Sequence, residues 1–202
     1  MPERPIAGII FDLDGTLVDS RLDFELIRQE IGLPEGQPIL EAIEHMAEDE
    51  ARRCHEILDL HELAGAERAR MIPGAAELLA TLAERSIPLG LLTRNSRRAT
   101  EVTLGRLDLS FDKVLAREDA SAKPDPAAIH LICDSWGIPA SQIAVIGDFH
   151  FDLEAGRRAG TWTVLYTRGR EVEVLPFEVE AHLVVHDFCD LEPLLAWLEA
   201  PS

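Results

Sequence analysis

The chain has 202 residues, 47% of them hydrophobic, enough for one good-sized core with a modest insertion but not for two large independent domains. Acidic residues number 37 against 19 lysines and arginines, a net charge of -18, so phosphate backbones and anionic lipid are repelled, and neither nucleic acid nor a membrane surface is an expected partner. Cys54, Cys133 and Cys189 are odd in number, widely spaced and lack a CxxC pairing, which argues against a disulfide framework or a zinc site and reads as reduced thiols packed like small apolar groups.

In chain order, the opening MPERPIAGII has no basic stretch leading into a long apolar segment, and no later run approaches the roughly 18 apolar residues of a membrane span. The expectation is a cytoplasmic protein. Residues 6–11 form a continuous apolar run, read as a buried strand, and it ends on the carboxylate pair Asp12 and Asp14 of DLDGT before turning through Gly15 and Thr16. From about 19 to 72 no strand pattern occurs. Leu22, Leu26, Ile27 and Ile31 make one helical stripe that stops at Gly32 and Pro34, and a longer stripe runs from Ile39 and Leu40 through Ala51 and Cys54 to Leu58. A helical insertion of two main helices is therefore expected there. Beyond it, runs at 87–92, 113–116, 143–146, 161–166 and 182–185 read as further strands, continuous rather than alternating, as parallel strands covered on both faces should be.

Helical stripes lie between these runs: Ala75, Leu78, Leu79, Leu82 and Ala83 after Gly74, a helix over 94–107, and Ala128, Ile129, Ile132 and Trp136 before Gly137. Strand alternating with helix implies the α/β class, a doubly wound, Rossmann-like, mostly parallel sheet. Residues 1–18 and 73–202 are expected to form the core, and 19–72 a small helical cap inserted after the first strand.

Polar residues fall at the ends of the predicted strands. Asp12 follows Phe11, Thr93 follows Leu92, Asp148 follows Gly147, and Lys123 lies in the loop after the 113–116 run. In open α/β sheets the carboxyl ends of the strands line the ligand crevice, so four distant segments converge on one pocket. The donors are carboxylates, a hydroxyl and an ammonium, with no His or Cys at these points, a set that favours the hard cation Mg²⁺ and a phosphoryl group. Asp12 and Asp14, two apart in an extended segment, share one face. One can attack phosphorus and carry an aspartyl phosphate while the other gives a proton to the leaving oxygen and later takes one from water. Gly15 lets the chain leave the strand without a side chain blocking the substrate.

DLDGT, Thr93 in LLTRN, Lys123 in AKPDP and GDFHFDLEAGRRAG over 147–160 together resemble the four ordered motifs of the haloacid dehalogenase-like hydrolases, in particular the phosphoglycolate phosphatase-like branch with a helical cap after the first motif. The resemblance implies Asp12 as nucleophile and Mg²⁺ ligand, and Asp14 as general acid and base with its main-chain carbonyl on the metal. It further implies Thr93 and the Arg94 and Asn95 segment on phosphate oxygens, Lys123 between Asp12 and the phosphate, and Asp148 on the metal. Asp152, one helical turn on, and the motif glycines Gly15 and Gly147 are expected in support. Related sequences carry a small hydroxyl residue where Phe149 stands here, so hydrogen bonding behind the metal should differ.

The expected activity is thus Mg²⁺-dependent hydrolysis of a small phosphorylated metabolite by a monomer or homodimer. Alternatives on the same fold are a phosphomutase, a 2-haloacid dehalogenase, which leaves Asp14 without a task, and a phospho-accepting or binding module that does not hydrolyse esters. The short cap suggests an open site tolerant of varied or larger leaving groups. His45, His55 and His61 read as surface residues, the run around Glu48, Asp49, Glu50, Arg52 and Arg53 as a solvated helix face, and Trp136, Trp162 and Trp197 as unclustered packing residues.

Overall fold

The computed structural model describes residues 6–172, 175 and 180–199. In chain order its elements begin with β1 (Gly8–Phe11), β2 (Val18–Asp19), α1 (Phe24–Ile31), α2 (Ile39–Ile43), α3 (Glu48–Arg68) and β3 (Arg70–Met71). They continue with α4 (Ala75–Glu84), β4 (Leu89–Leu92), α5 (Arg97–Leu107), β5 (Lys113–Leu115) and α6 (Ala127–Trp136). The last are β6 (Ile143–Gly147), α7 (His150–Ala159), β7 (Trp162–Tyr166), β8 (Leu183–Val185) and α8 (Glu192–Glu199). Among the described residues no helix is long and apolar enough to cross a membrane.

Six strands form one parallel sheet in the order β5-β4-β1-β6-β7-β8, so the strand order reverses at β1, where the crevice of a doubly wound sheet opens. All six were legible as apolar runs because both faces of the sheet are covered. Ile9 and Phe11 of β1 pack with Leu78 and Leu82 of α4 and Leu194 and Leu198 of α8. Ile10, pointing the other way, packs with Ile129 and Ile132 of α6 and Ala155 of α7.

The insertion differs from expectation in two respects. Val18 and Asp19 pair antiparallel with Met71 and Arg70, so a short ribbon closes the two ends of a segment read as strand-free. Two residues per strand leave no periodicity to detect. The insertion also holds three helices, because the second stripe breaks after Ile43 and α3 starts afresh at Glu48. Its own small core is Ile27, Ile39, Leu40, Ile43, Cys54 and Leu58.

The helix expected over 94–107 begins only at Arg97, capped by the Ser96 hydroxyl, because residues 93–95 form a loop in which the Asn95 N–H is donated to the Thr93 hydroxyl. Two packing expectations also need correction. Cys189 is exposed rather than packed, and Trp162 and Trp197 do meet, edge to face, with ring centroids 5.8 Å apart.

The C-terminal half of α3 is docked on α5 of the core. The Ala66 carbonyl accepts the Arg106 guanidinium of α5 at 2.9 Å, and Glu62, buried at 4% exposure, accepts the Ser96 N–H at 2.8 Å and the Arg117 guanidinium at 2.6 Å. Burial pushes the Glu62 carboxyl up, opposed by Arg117. Removing one partner of a buried pair strands the other charge. Arg117→Ala is therefore expected to destabilise the protein by about 3 kcal/mol, lowering Tm by about 6–12 °C for a chain of this size. Adding Glu62→Gln to that variant should recover part of the loss; denaturant midpoints that show no recovery would refute the ion-pair attribution.

Candidate active site

Asp12 continues β1 by donating its N–H to the Ile146 carbonyl at 2.9 Å, so its carboxylate stands at the carboxyl end of the sheet beside β6. The chain then bends at Leu13. Leu17 and Val18 both donate to the Leu13 carbonyl, and Leu13, Leu17 and Val18 are fully buried in the sheet's core. With Leu13 turned inward, Asp12 and Asp14 both open onto a cavity of about 470 Å³. Thr93, Arg94, Asn95, Lys123, Asp148 and Asp152 line the same cavity. A separate cavity of about 400 Å³, lined by Arg70, Tyr166 and His186 among others, contains none of these strand-end residues.

Lys123 ties the cluster together. Its buried Nζ donates to Asp12 Oδ1 at 2.5 Å, Asp152 Oδ1 at 2.6 Å and the Leu92 carbonyl at 2.9 Å. Burial disfavours its charge, but the Asp12 and Asp152 carboxylates outweigh that and hold the ammonium above the ordinary lysine value. Burial pushes Asp12 up to about 7, with Lys123 opposing. The other Asp12 oxygen accepts the Thr16 hydroxyl at 3.2 Å. Asp152 Oδ2 accepts the Phe149 N–H at 3.2 Å, so both of its oxygens already hold donors.

Burial likewise pushes up Asp14, opposed by Ser20 and Asn95. The Asn95 amide donates to Asp14 Oδ2, while Oδ1 is buried with no hydrogen-bond partner among the described residues. Asp148 is raised to about 8, by burial first and then by Asp12 and Asp152; Arg170 and Arg168 oppose this only weakly, the Arg170 guanidinium standing 3.8 Å away. One oxygen from each of Asp12, Asp148 and Asp152 lies within 4.8 Å of the others. Burial opposes ionisation of Asp12 and Asp148 in this all-oxygen cluster, which fits a hard cation whose charge would favour their ionised forms.

Two glycines make this density possible. Gly15, at φ +91°, lies so close to Asp148 that a Cβ would stand 2.3 Å from its carboxylate oxygen, and a Cβ on Gly147 would stand 2.2 Å from Asp152 Cγ. The room at Gly15 thus belongs to a carboxylate rather than to substrate.

Thr93 is buried at the end of β4, and its hydroxyl accepts the Asn95 N–H at 3.1 Å. The Arg94 guanidinium points neither to solvent nor at the acid cluster. It donates to both Glu41 oxygens at 2.8 Å and to the Lys123 carbonyl at 2.6 Å, with its carbon 4.3 Å from the centre of the Phe151 ring. Glu41, Phe151, Glu62, Arg117 and Thr16 were not singled out by the sequence reading. Only Thr16, inside DLDGT, and Phe151, inside the 147–160 motif, carried a local signal. His150 packs between Phe149 and Phe151, and burial lowers its pKa.

Residues 6–160 match the haloacid dehalogenase-like hydrolase family, and the chain belongs to that family. Among curated relatives it is 33% identical over 172 residues to a haloacid dehalogenase-like hydrolase domain-containing protein of Arabidopsis thaliana, covering 79% of this chain and 70% of that one. It is 30% identical to a phosphoglycolate phosphatase of Pseudomonas syringae pv. tomato, covering 92% and 78% respectively, and 29% identical to an N-acetylmuramic acid 6-phosphate phosphatase of Pseudomonas aeruginosa, covering 84% and 85%. A hydrolase of Pseudomonas syringae shares the fold, with a TM-score of 0.78 at 24% identity over 96% of this chain and 100% of that one.

Two outcomes follow from the acid cluster. Between 3.8 and about 8, folded Asp148 holds a proton that the unfolded chain has released, so its presence lowers stability as pH rises through that window. Without divalent cations, Asp148→Asn should be more stable than wild type at the upper end and equal to it at the lower end; thermal unfolding at both pH values checks the sign. An added divalent cation is expected to stabilise the wild type, and Gly15→Ala, by displacing Asp148, is expected to remove that gain. A variant that still gains as much from the cation in differential scanning calorimetry would rule out that collision.

Proposed function

We propose that this phosphatase of the haloacid dehalogenase-like family is a Mg²⁺-dependent phosphomonoesterase that hydrolyses a small phosphorylated metabolite through an aspartyl phosphate on Asp12. The observation that carries this reading is the Lys123 ammonium 2.5 Å from Asp12, in a cavity that also receives Asp14 and Asp148. The phosphatase names of relatives covering most of the chain support it. Residues 19–72 serve as the cap and 1–18 with 73–202 as the catalytic core.

The Asp12 carboxylate attacks phosphorus, forming an acyl phosphate as the bond to the leaving oxygen breaks. Lys123 offsets the repulsion between an anionic nucleophile and an anionic ester. Thr93 and the backbone at Arg94 and Asn95 bind phosphate oxygens. Asp14, whose carboxyl is shifted towards the protonated form, donates its proton to the leaving oxygen. It then takes a proton from the water that attacks the phosphorus, which releases phosphate and restores Asp12. Asn95 orients Asp14 for both steps. Asp12 and Asp148, with the Asp14 main-chain carbonyl, would hold Mg²⁺, whose charge offsets that of the phosphoryl oxygens. Asp152, with both oxygens taken, positions Lys123 and the start of α7. Displacement of halide from carbon would leave Asp14 and Asp148 idle, so phosphate ester hydrolysis is the better account.

Asp12→Asn should lower kcat by about 10³-fold or more while the circular dichroism spectrum of the folded protein stays that of wild type. Residual turnover within tenfold of wild type would exclude Asp12 as nucleophile.

A further inference from the structure

The wall beyond the acid cluster is aromatic and apolar, and it is built from both parts of the chain. Three of the seven phenylalanines line the cavity: Phe24 from α1 of the insertion, and Phe149 and Phe151 beside Asp148 in the core. Phe151 is fixed under the Arg94 guanidinium and meets the Phe149 ring edge-on, with centroids 5.3 Å apart. Phe24 and Phe149 nevertheless leave 49% and 38% of their surface exposed, at the one cavity where the strand-end acids gather. Leu22, Leu40 and Leu58 extend the apolar surface on the insertion's side.

Several polar groups of the cavity already have partners. Arg28 donates to Glu25 and the Gln37 carbonyl, Glu62 is held by Ser96 and Arg117, and Arg21 and Arg168 each stand 3.8 Å from Asp19. A ring would be received there by aromatic faces and edges. At about 470 Å³ the cavity falls within the range of about 300–1,000 Å³ that encloses ligands well beyond a two-carbon acid.

Building on the phosphatase reading, we propose that the preferred substrates are phosphate monoesters whose leaving group carries a planar aromatic or heteroaromatic ring close to the ester oxygen, held between Phe24 of the cap and Phe149 of the core. Phe149 is then a specificity determinant.

The test compares two non-hydrolysable probes, benzylphosphonate and ethylphosphonate, by isothermal titration of the full-length protein in the presence of Mg²⁺. The benzyl compound should bind about tenfold more tightly, in keeping with stacking and edge contacts to two rings. Phe149→Leu, which keeps apolar bulk at a half-exposed position, and Phe24→Ala should each reduce that ratio to about threefold or less. Equal affinities in the wild type, or a ratio that survives in both variants, overturn the ring preference and leave the phosphatase reading intact. If neither phosphonate binds, both readings are overturned.

Discussion

A buried ammonium saturated by three acceptors is the interaction on which this site depends. Lys123 arrives in a loop after β5, and its acceptors come from three other places: Asp12 beyond β1, the Leu92 carbonyl at the end of β4, and Asp152 in the first turn of α7. Without that charge, Asp12 and Asp152 would face each other as buried anions with no compensating partner, a severe destabilisation. With it, the relative positions of these groups are fixed by the folded chain, so little reorganisation is left for the reaction itself.

The same logic places the insertion. An acidic chain has few cations to spend on structure, yet core arginines hold acids of the insertion at two points: Arg94 on Glu41 of α2, and Arg117 on Glu62 and Asp59 of α3. Arg94 also binds the Lys123 carbonyl and covers the Phe151 ring. One side chain therefore joins the insertion, the lysine loop and the aromatic wall, and a shift of α2 would be felt at the backbone that carries Lys123. The α3 contact with α5 and the β2-β3 ribbon hold the other side of the insertion.

The sheet was legible in the sequence because burial on both faces forces continuous apolar runs, and the strand-end polar residues were legible because they interrupt those runs. Length was the main obstacle elsewhere. The ribbon strands hold two residues each, and the four residues between α2 and α3 retain Met46 and Ala47, which fit a helical stripe. The direction of Arg94 could not be read at all, since its partners Glu41 and Phe151 lie 53 and 57 positions away in the chain. Pairings across such distances leave no periodic trace. Trp162 and Trp197 meet for the same reason, through the packing of α8 near β7.

The segment DLDGTLV shows how one short stretch meets two incompatible demands. Asp12 and Asp14 must face a polar cavity, while the backbone that carries them must not move. Leu13, Leu17 and Val18 supply the second requirement by burying themselves completely in the sheet's core between and beyond the acids. Gly15 supplies the space in which Asp148 comes close. Burial first, and for Asp12 and Asp148 neighbouring carboxylates after it, push these three acids towards their protonated forms, and the apolar clusters on both faces of the sheet give the fold the stability to sustain that cost. A cation in the cluster would favour the ionised forms that burial opposes, so the crowding of buried carboxylates is a cost that a hard ion would offset.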